Sequence, residues 1–282
     1  MAPRCVDGPV HLAGLFIHPV KSLRACAVAS ANVDALGLVG DRRFLVVDAA
    51  GRFLMQRTLP RLACIVTALS ADTLTLSAEG AVDLRVPRAP DPAAPLRTVG
   101  IWQSDGLLAE DCGAAPAGWL GDFLGVECRL VRIGAAFQRP MLKPGVTRPG
   151  DVVGFADAYP FLVISEASLA ALNDRLVARG EDAIPMNRFR PNLVVSGAPA
   201  FAEDTWSRVR IGDLVLRAGG PCSRCVITTT DQITGERGRE PLSLLATYRR
   251  DAADPTNVNF GQHFIHEPKT GTVRVADPVE VL

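Results

Sequence analysis

Apolar residues along most of the chain come in short runs rich in Val, Ile and Leu, cut by Gly, Pro and Asp: "RFLVVDAAGRFL", "DTLTLS", "VDLRVP", "FLVIS", "PNLVVSG", "VRIGDLVLRA" and "TVRVADPVEVL". β-Branched residues suit a pleated, half-buried surface and the breakers suit its turns, so the pattern predicts a mainly β protein. Gly212-Asp213 and Ala276-Asp277-Pro278 each divide two such runs as a hairpin turn does. Sheets built from many hairpins close into barrels, and a barrel-like fold is expected in both halves. Three stretches carry a helical period instead: Ser165 to Arg179, where Leu169, Leu172 and Leu176 share a face before Gly180, then Pro116 to Leu124 and Pro241 to Arg250. These few helices are expected to lie on the periphery of the sheets. The stretch "VPRAPDPAAPLRTVG" reads as a long loop in the first half. The turn-rich "GAAFQRPMLKPGVTRPGDVVG" after "ECRLVRI" is the better boundary, separating residues 1–133 from residues 134–282.

Length agrees with that division, since 282 residues at roughly 150 per domain suggest two domains. With 48% hydrophobic and 21% charged residues the chain has the composition of a compact soluble protein. Thirty basic residues balance thirty acidic ones. No global field is available to hold nucleic acid or an anionic membrane, so a basic site must be local and its ligand small. Seven cysteines are an odd number for an extracellular disulfide framework, and Cys5, Cys26, Cys64, Cys112 and Cys128 are expected as buried, reduced thiols. The opening "MAPRCVDGPVHLAGLFIHPVKS" has only a short apolar run and a His-Pro break where a signal peptide would continue, and no stretch of eighteen apolar residues follows. A cytoplasmic protein is expected.

The remaining two cysteines, Cys222 and Cys225, stand in "GGPCSRCVITTTDQITGER" with a C-x-x-C spacing that admits three readings. A redox dithiol places its first cysteine at a helix N-terminus, and "VITTT" after Cys225 looks like a strand instead. Structural zinc could recruit His263 and His266 of "GQHFIH", but residues three apart on a strand face opposite ways. The third reading makes one thiolate a ligand to a softer metal centre whose other ligands come from an anionic cofactor. Such a cofactor needs a basic cradle. Candidates are Lys21 and Ser22 in "FIHPVKSLR", Arg42 and Arg43 in "GLVGDRRFLVV", and Arg188, Arg190 and Asn192 in "NRFRPNLVV".

These motifs, in their order, carry a resemblance. "HPVKS" and "GDRRFLVVD" in the first half, then "PFLVISEASL", "FRPNLVVSG", "AEDTW", "IGDLVL", "CSRCVITTTD", "EPL" and "FGQHF", make the chain similar to MOSC-domain proteins with a MOSC N-terminal β-barrel domain, in the branch of the mitochondrial amidoxime reducing component and its bacterial relatives. The resemblance covers nearly the whole chain. It implies a molybdenum cofactor (Mo-molybdopterin) with Cys225 as the metal ligand and catalytic thiolate. It further implies cofactor contacts from Lys21, Ser22, Arg42, Arg190 and Asn192, with Ser223 and Arg224 contributing backbone groups and Cys222 a neighbour of the ligand. The implied activity is reduction of N-hydroxylated compounds such as amidoximes and hydroxylamines. A presequence, a membrane anchor and the iron–sulfur domain of some relatives find no match, so the expected partners are a small-molecule substrate and a separate electron donor, a ferredoxin-like or cytochrome b5-like protein with its reductase. Asp157 and Asp231 are candidate proton donors. The alternative is a carrier of cofactor or sulfur that uses Cys225 as a persulfide.

Overall fold

The computed structural model describes residues 8–282; Cys5 lies outside the described residues. Strands dominate. The largest sheet has eight strands in the order Val279–Val281, Arg208–Ile211, Leu214–Ser223, Asn259–His266, Phe161–Ser165, Leu193–Ser196, His11–Ile17 and Cys26–Ala27. Among the described strands of this sheet only the pairing of Phe161–Ser165 with Leu193–Ser196 is parallel. It needs a crossover, and the helix Glu166–Val177 supplies one. That helix starts where expected because Ser165 caps it, its Oγ accepting from the Ser168 amide at 3.0 Å. Leu172 and Leu176 then face the core.

The other sheets are smaller and curled. Phe44–Val47, Arg129–Arg132, Ser104–Asp111 and Leu96–Ile101 form one of four strands; Val66–Leu69, Thr73–Ser77 and Leu84–Pro87 form one of three. Between them lies a core of Val20, Phe44, Leu62, Leu74, Leu120 and Leu130, covered by the helix Ala114–Leu124. The halves of the chain interleave: His11 pairs with Ser196, and Ser30–Asp34 pairs with Gly271–Arg274. The strands at the start of the chain thereby complete sheets built from its end.

Several expectations need correction. The turn at Gly212-Asp213 is a hairpin, with Ile211 opposite Leu214. Ala276-Asp277-Pro278 is not one: Gly271–Arg274 joins Ser30–Asp34, whereas Val279–Val281 joins Arg208–Ile211. The run breaks there because Ala276 takes φ 75° and the Asp277 carboxylate accepts from the Arg274 amide at 2.7 Å, turning the chain toward a second sheet. The helix expected over Pro241 to Arg250 is a single turn, Leu242–Leu245. Of the scattered thiols Cys128 is buried, while Cys26, Cys64 and Cys112 are half-buried; all are free.

Candidate functional site

A cleft of about 170 Å³ opens where the two halves meet, lined by Lys21, Ser22, Arg42, Gln56, Asp157, Tyr159, Arg190, Asn192, His263 and the run Cys222 to Cys225. Every residue that the resemblance implied for cofactor or metal contact (Lys21, Ser22, Arg42, Arg190, Asn192, Ser223, Arg224 and Cys225) lines this cleft. Their motif companions do not: Arg43 turns away to Asp34 at 2.7 Å, and Arg188 to Asp231 at 2.9 Å.

The backbone marks the same place. Among the described residues, six that are not glycine hold φ above zero, and Ser22 (70°), Arg42 (45°) and Arg190 (56°) line the cleft, with Trp102 (52°) at its rim. Left-handed backbone is costly for residues with a Cβ, so the fold holds these side chains where relaxed backbone would not put them. Arg42 is held on both sides, its amide donating to the His18 carbonyl at 2.7 Å and its carbonyl accepting from the Phe155 amide at 3.0 Å.

Charge is concentrated and unevenly matched. The Lys21 ammonium, on a residue only 6% exposed, pairs with Asp157, and the Arg42 guanidinium pairs with Asp41 at 2.5 Å and donates to Asn192 Oδ1 at 2.9 Å. Asn192 also donates to the Phe16 carbonyl and accepts from the Leu162 amide, so its amide holds Arg42 to the sheet. Among the described residues Arg190 reaches only the Gln232 side chain, at 3.4 Å, and no carboxylate. Burial first, then Arg42, push its guanidinium down to about 9. Burial likewise lowers Lys21, with Asp157 opposing the shift. Buried and half-buried cations in excess of their counter-ions define an anion site.

At the cleft floor Arg224 donates to Cys222 Sγ at 2.8 Å, and His263, stacked on Tyr159 at 4.7 Å, lies beside the same sulfur. Burial raises the Cys222 thiol, but Arg224 and His263 outweigh it and bring it down to about 7. Cys225 is half-buried, faces the cleft, and has no side-chain hydrogen bond among the described residues. The run after it, expected as a strand, is a 3-10 turn over Val226–Thr229. The reason lies in its threonines: the Thr228 and Thr229 hydroxyls donate back to the Cys225 and Val226 carbonyls at 3.0 and 2.9 Å, and local bonds of this kind compete with a strand. No three His, Cys, Asp or Glu side chains converge as a metal set among the described residues. His266 lies apart from the cysteines, its Nε2 on the Asp34 carbonyl at 2.8 Å; it is 1% exposed, not half-exposed as its strand position suggests.

Three site residues escaped sequence reasoning. Trp102 donates from Nε1 to Asp157 at 2.8 Å and packs edge-on against Phe53 at 5.0 Å. Gln56, fully buried, exchanges amide bonds with Gln232 and donates to the Ser22 carbonyl, tying the halves together under the cleft. Arg139 donates to the carbonyls of Gly154, Ala156 and Asp157, and so shapes the loop that carries Asp157. Only Trp102 left a signal, a large aromatic within the turn "IWQSDG".

A strand-rich first half joined to a second half with one unbonded thiol in a basic cleft is the class defined by the MOSC domains. Residues 10–127 match the MOSC N-terminal beta barrel domain and residues 140–280 match the MOSC domain, and the chain belongs to this family. It is similar to mitochondrial amidoxime-reducing component 1 of Mus musculus, at 39% identity over 96% of this chain and 82% of that protein. The Homo sapiens protein of the same name gives 39% over 96% and 82%, and that of Xenopus laevis 35% over 94% and 80%.

The cleft suits an anionic group that brings most of its own metal ligands. Cys225 supplies one soft donor, the described side chains converge on no further metal set, and the cations at Lys21, Arg42 and Arg190 match a phosphate.

Proposed function

We propose that this chain is a molybdenum-dependent oxidoreductase that reduces N-hydroxylated compounds, amidoximes and hydroxylamines, with electrons supplied by a separate redox protein. The supporting observation is the union of one thiol without a hydrogen bond among the described residues, Cys225, with more cations than carboxylates, buried or half-buried, in a single cleft. The names of the relatives, amidoxime-reducing components, support the substrate class.

On this reading Cys225 is the ligand the protein gives to molybdenum, while Lys21, Ser22, Arg42 and Arg190 hold the phosphate and pterin. Bound there, the cofactor supplies the two-electron redox chemistry. The net reaction takes the N-hydroxyl compound, two electrons and two protons to the amine or amidine and water.

The chain's own groups prepare the opening. Asp157 stands at the cleft mouth, its side chain 62% exposed; loss of solvation on its protein side pushes its carboxyl up, but the Lys21 ion pair and the Trp102 N–H prevail and hold it well below the usual carboxylate range. It is an anion at neutral pH and can accept a hydrogen bond from the amino group of an amidoxime; it does not donate the proton. Asp231 is similarly kept ionised, by the Thr234 amide first, and lies off the cleft with Arg188. Neither candidate acid is suited to that role.

The test is molybdenum content per chain after expression in a host that makes the cofactor, with turnover of benzamidoxime by a small artificial reductant. Near-stoichiometric metal with turnover is expected. Metal-free protein bearing a persulfide on Cys225, without turnover, would overturn the reading in favour of a carrier.

A further inference from the structure

The hairpin that follows the Cys225 turn presents a feature the cleft does not use. Its stem is closed by the Asp231 amide donating to the Glu236 carbonyl at 2.7 Å, and it is rooted directly on the turn by the Gly238 amide donating to the Thr229 carbonyl at 3.0 Å. At its tip Asp231 Oδ1 accepts from the amides of Ile233 (2.7 Å) and Thr234 (2.9 Å), while Asp231 Oδ2 is held by Arg188. The result is a rigid loop that holds Ile233 out into solvent, 71% exposed.

Arginines surround that tip. Arg237 donates to the carbonyls of Gln56 (2.7 Å) and Arg57 (3.2 Å), which brings the segment of Arg57 against the hairpin. Gly235 packs against the turn Pro60–Cys64, where a Cβ would meet Cys64 Sγ at 3.1 Å, so Arg61 of that turn is a neighbour too. Arg57, Arg61, Arg237 and Arg239 are all exposed, and none is paired with a carboxylate among the described residues. Arg57 and Arg61 instead lie over the rings of Trp102 (5.3 Å) and Phe123 (4.6 Å), which fixes their positions. The carboxylates nearby are Glu236, Glu79 and Glu240, the last of which accepts from the Leu244 amide, while Asp231 is taken by Arg188, so the four arginines still outnumber them. In a chain of zero formal net charge, this is a local positive field centred on one fixed apolar side chain.

We propose that the face formed by the hairpin tip at Ile233 and the ring of Arg57, Arg61, Arg237 and Arg239 docks an acidic electron-carrier protein. This rests on the reading of the chain as a reductase supplied from outside. An exposed isoleucine alone would mean nothing. Its fixed position within a cationic rim, however, has the form of a small transient interface: an apolar anchor encircled by charges that steer encounter more than they add affinity. The position also fits, because the hairpin grows from the turn that carries Cys225, and Arg57 lies on Trp102 at the cleft rim. A carrier docked here stands beside the thiol without entering the cleft. A lipid surface would gain nothing from that placement.

Turnover of benzamidoxime by the loaded full chain is measured with an acidic [2Fe–2S] ferredoxin and its reductase, and separately with reduced methyl viologen. The proteins compared are the wild type, the double variant Arg57→Glu/Arg239→Glu, and Ile233→Asp. In the double variant the KM for ferredoxin should rise about tenfold or more at roughly 10 mM salt, and the steep salt dependence of the wild type should flatten. Ile233→Asp should raise KM at every salt concentration, and the viologen rate should stay unchanged in both. Unaltered ferredoxin KM and salt slope in both variants would overturn the docking face. So would a wild type that turns over with viologen but takes no electrons from ferredoxin. Binding to phosphatidylserine vesicles that the charge reversals abolish, with ferredoxin KM unmoved, would assign the surface to a membrane and equally overturn it. If the wild type fails with viologen, the reductase reading fails instead. Calorimetric titration of the same proteins with ferredoxin then decides the docking face, upheld by binding that the reversals abolish and overturned by its absence in the wild type.

Discussion

The two ends of one strand pair, Leu214–Ser223 against Asn259–His266, bury charge in opposite ways. At the outer end Arg217 and Lys269 both reach the carboxylate of Asp151, which also accepts from the Arg148 amide at 2.7 Å. Here both cations contact a carboxylate, which they share, as a scaffold requires. At the inner end Arg224 reaches a sulfur and a carbonyl, and Arg190 across the cleft reaches only an amide. The same sheet thus tolerates paired charge at one end and holds unpaired charge at the other. A surplus of that kind is unfavourable in an empty fold and becomes useful when an anion arrives.

The largest effect is expected at the thiol, where the proposed metal bond leaves no substitute. Cys225→Ala should abolish benzamidoxime reduction, while Cys222→Ala should keep substantial molybdenum and activity, because a thiol beside a ligand tunes the centre and does not hold it. Metal analysis and turnover on both variants decide this, and equal loss in both would point back to a site that needs the pair.

The comparison breaks most cleanly at the outer end. Asp151→Ala strands Arg217, 8% exposed, without a carboxylate, and breaking a buried pair this way typically costs about 3–5 kcal/mol. The melting temperature should drop by roughly 10 °C. Arg190→Met should do the reverse. It removes a cation that has no carboxylate partner and that Arg42 already repels, so melting of the cofactor-free protein should hold or rise. Cofactor affinity should fall by roughly ten- to a hundredfold, the worth of one charge-assisted contact, and occupancy with it. If Arg190→Met melts as low as Asp151→Ala, Arg190 is scaffold and the contrast between the two ends fails.

Much of this was legible in the chain, because the residues that matter are polar types set against apolar strands. "HPVKS", "GDRRFLVV", "FRPN" and "CSRC" each mark a cleft residue by a basic, hydroxyl or thiol group where a strand run ends. Periodicity found the helix at Ser165 and missed the brevity of Leu242–Leu245. What stayed hidden depends on contacts between distant segments. Nothing local reveals that Gln56 meets Gln232, that Arg139 shapes the loop of Asp157, or that Val226–Thr229 turns because its hydroxyls bond backward. Arg42 and Arg43 show the limit well: adjacent, identical in type, and sent by the left-handed backbone at Arg42 to different neighbours.

The smallest effect separates the two ends by pH. At the outer end burial, and Lys269 after it, push His266 down to about 4 from its ordinary 6.5, with Asp34 and Asp151 opposing. The unfolded chain binds that proton more readily than the folded one, so stability is complete above 6.5 and is lost as the pH falls toward about 4. At the inner end Cys222 is raised by burial, but Arg224 and His263 prevail and bring it from 9.0 to about 7. The folded state prefers the thiolate there, so this contribution is present above 9.0 and is lost as the pH falls through about 7. His266→Gln can still donate to the Asp34 carbonyl but cannot take up a proton. Melting curves across pH 4 to 9 on the cofactor-free protein should therefore show this variant flattened only in the acid window and Cys222→Ser flattened only in the alkaline one. Flattening of both windows by either variant would mean that the two ends titrate as one network, and the separation drawn between paired scaffold and unpaired cleft would not stand.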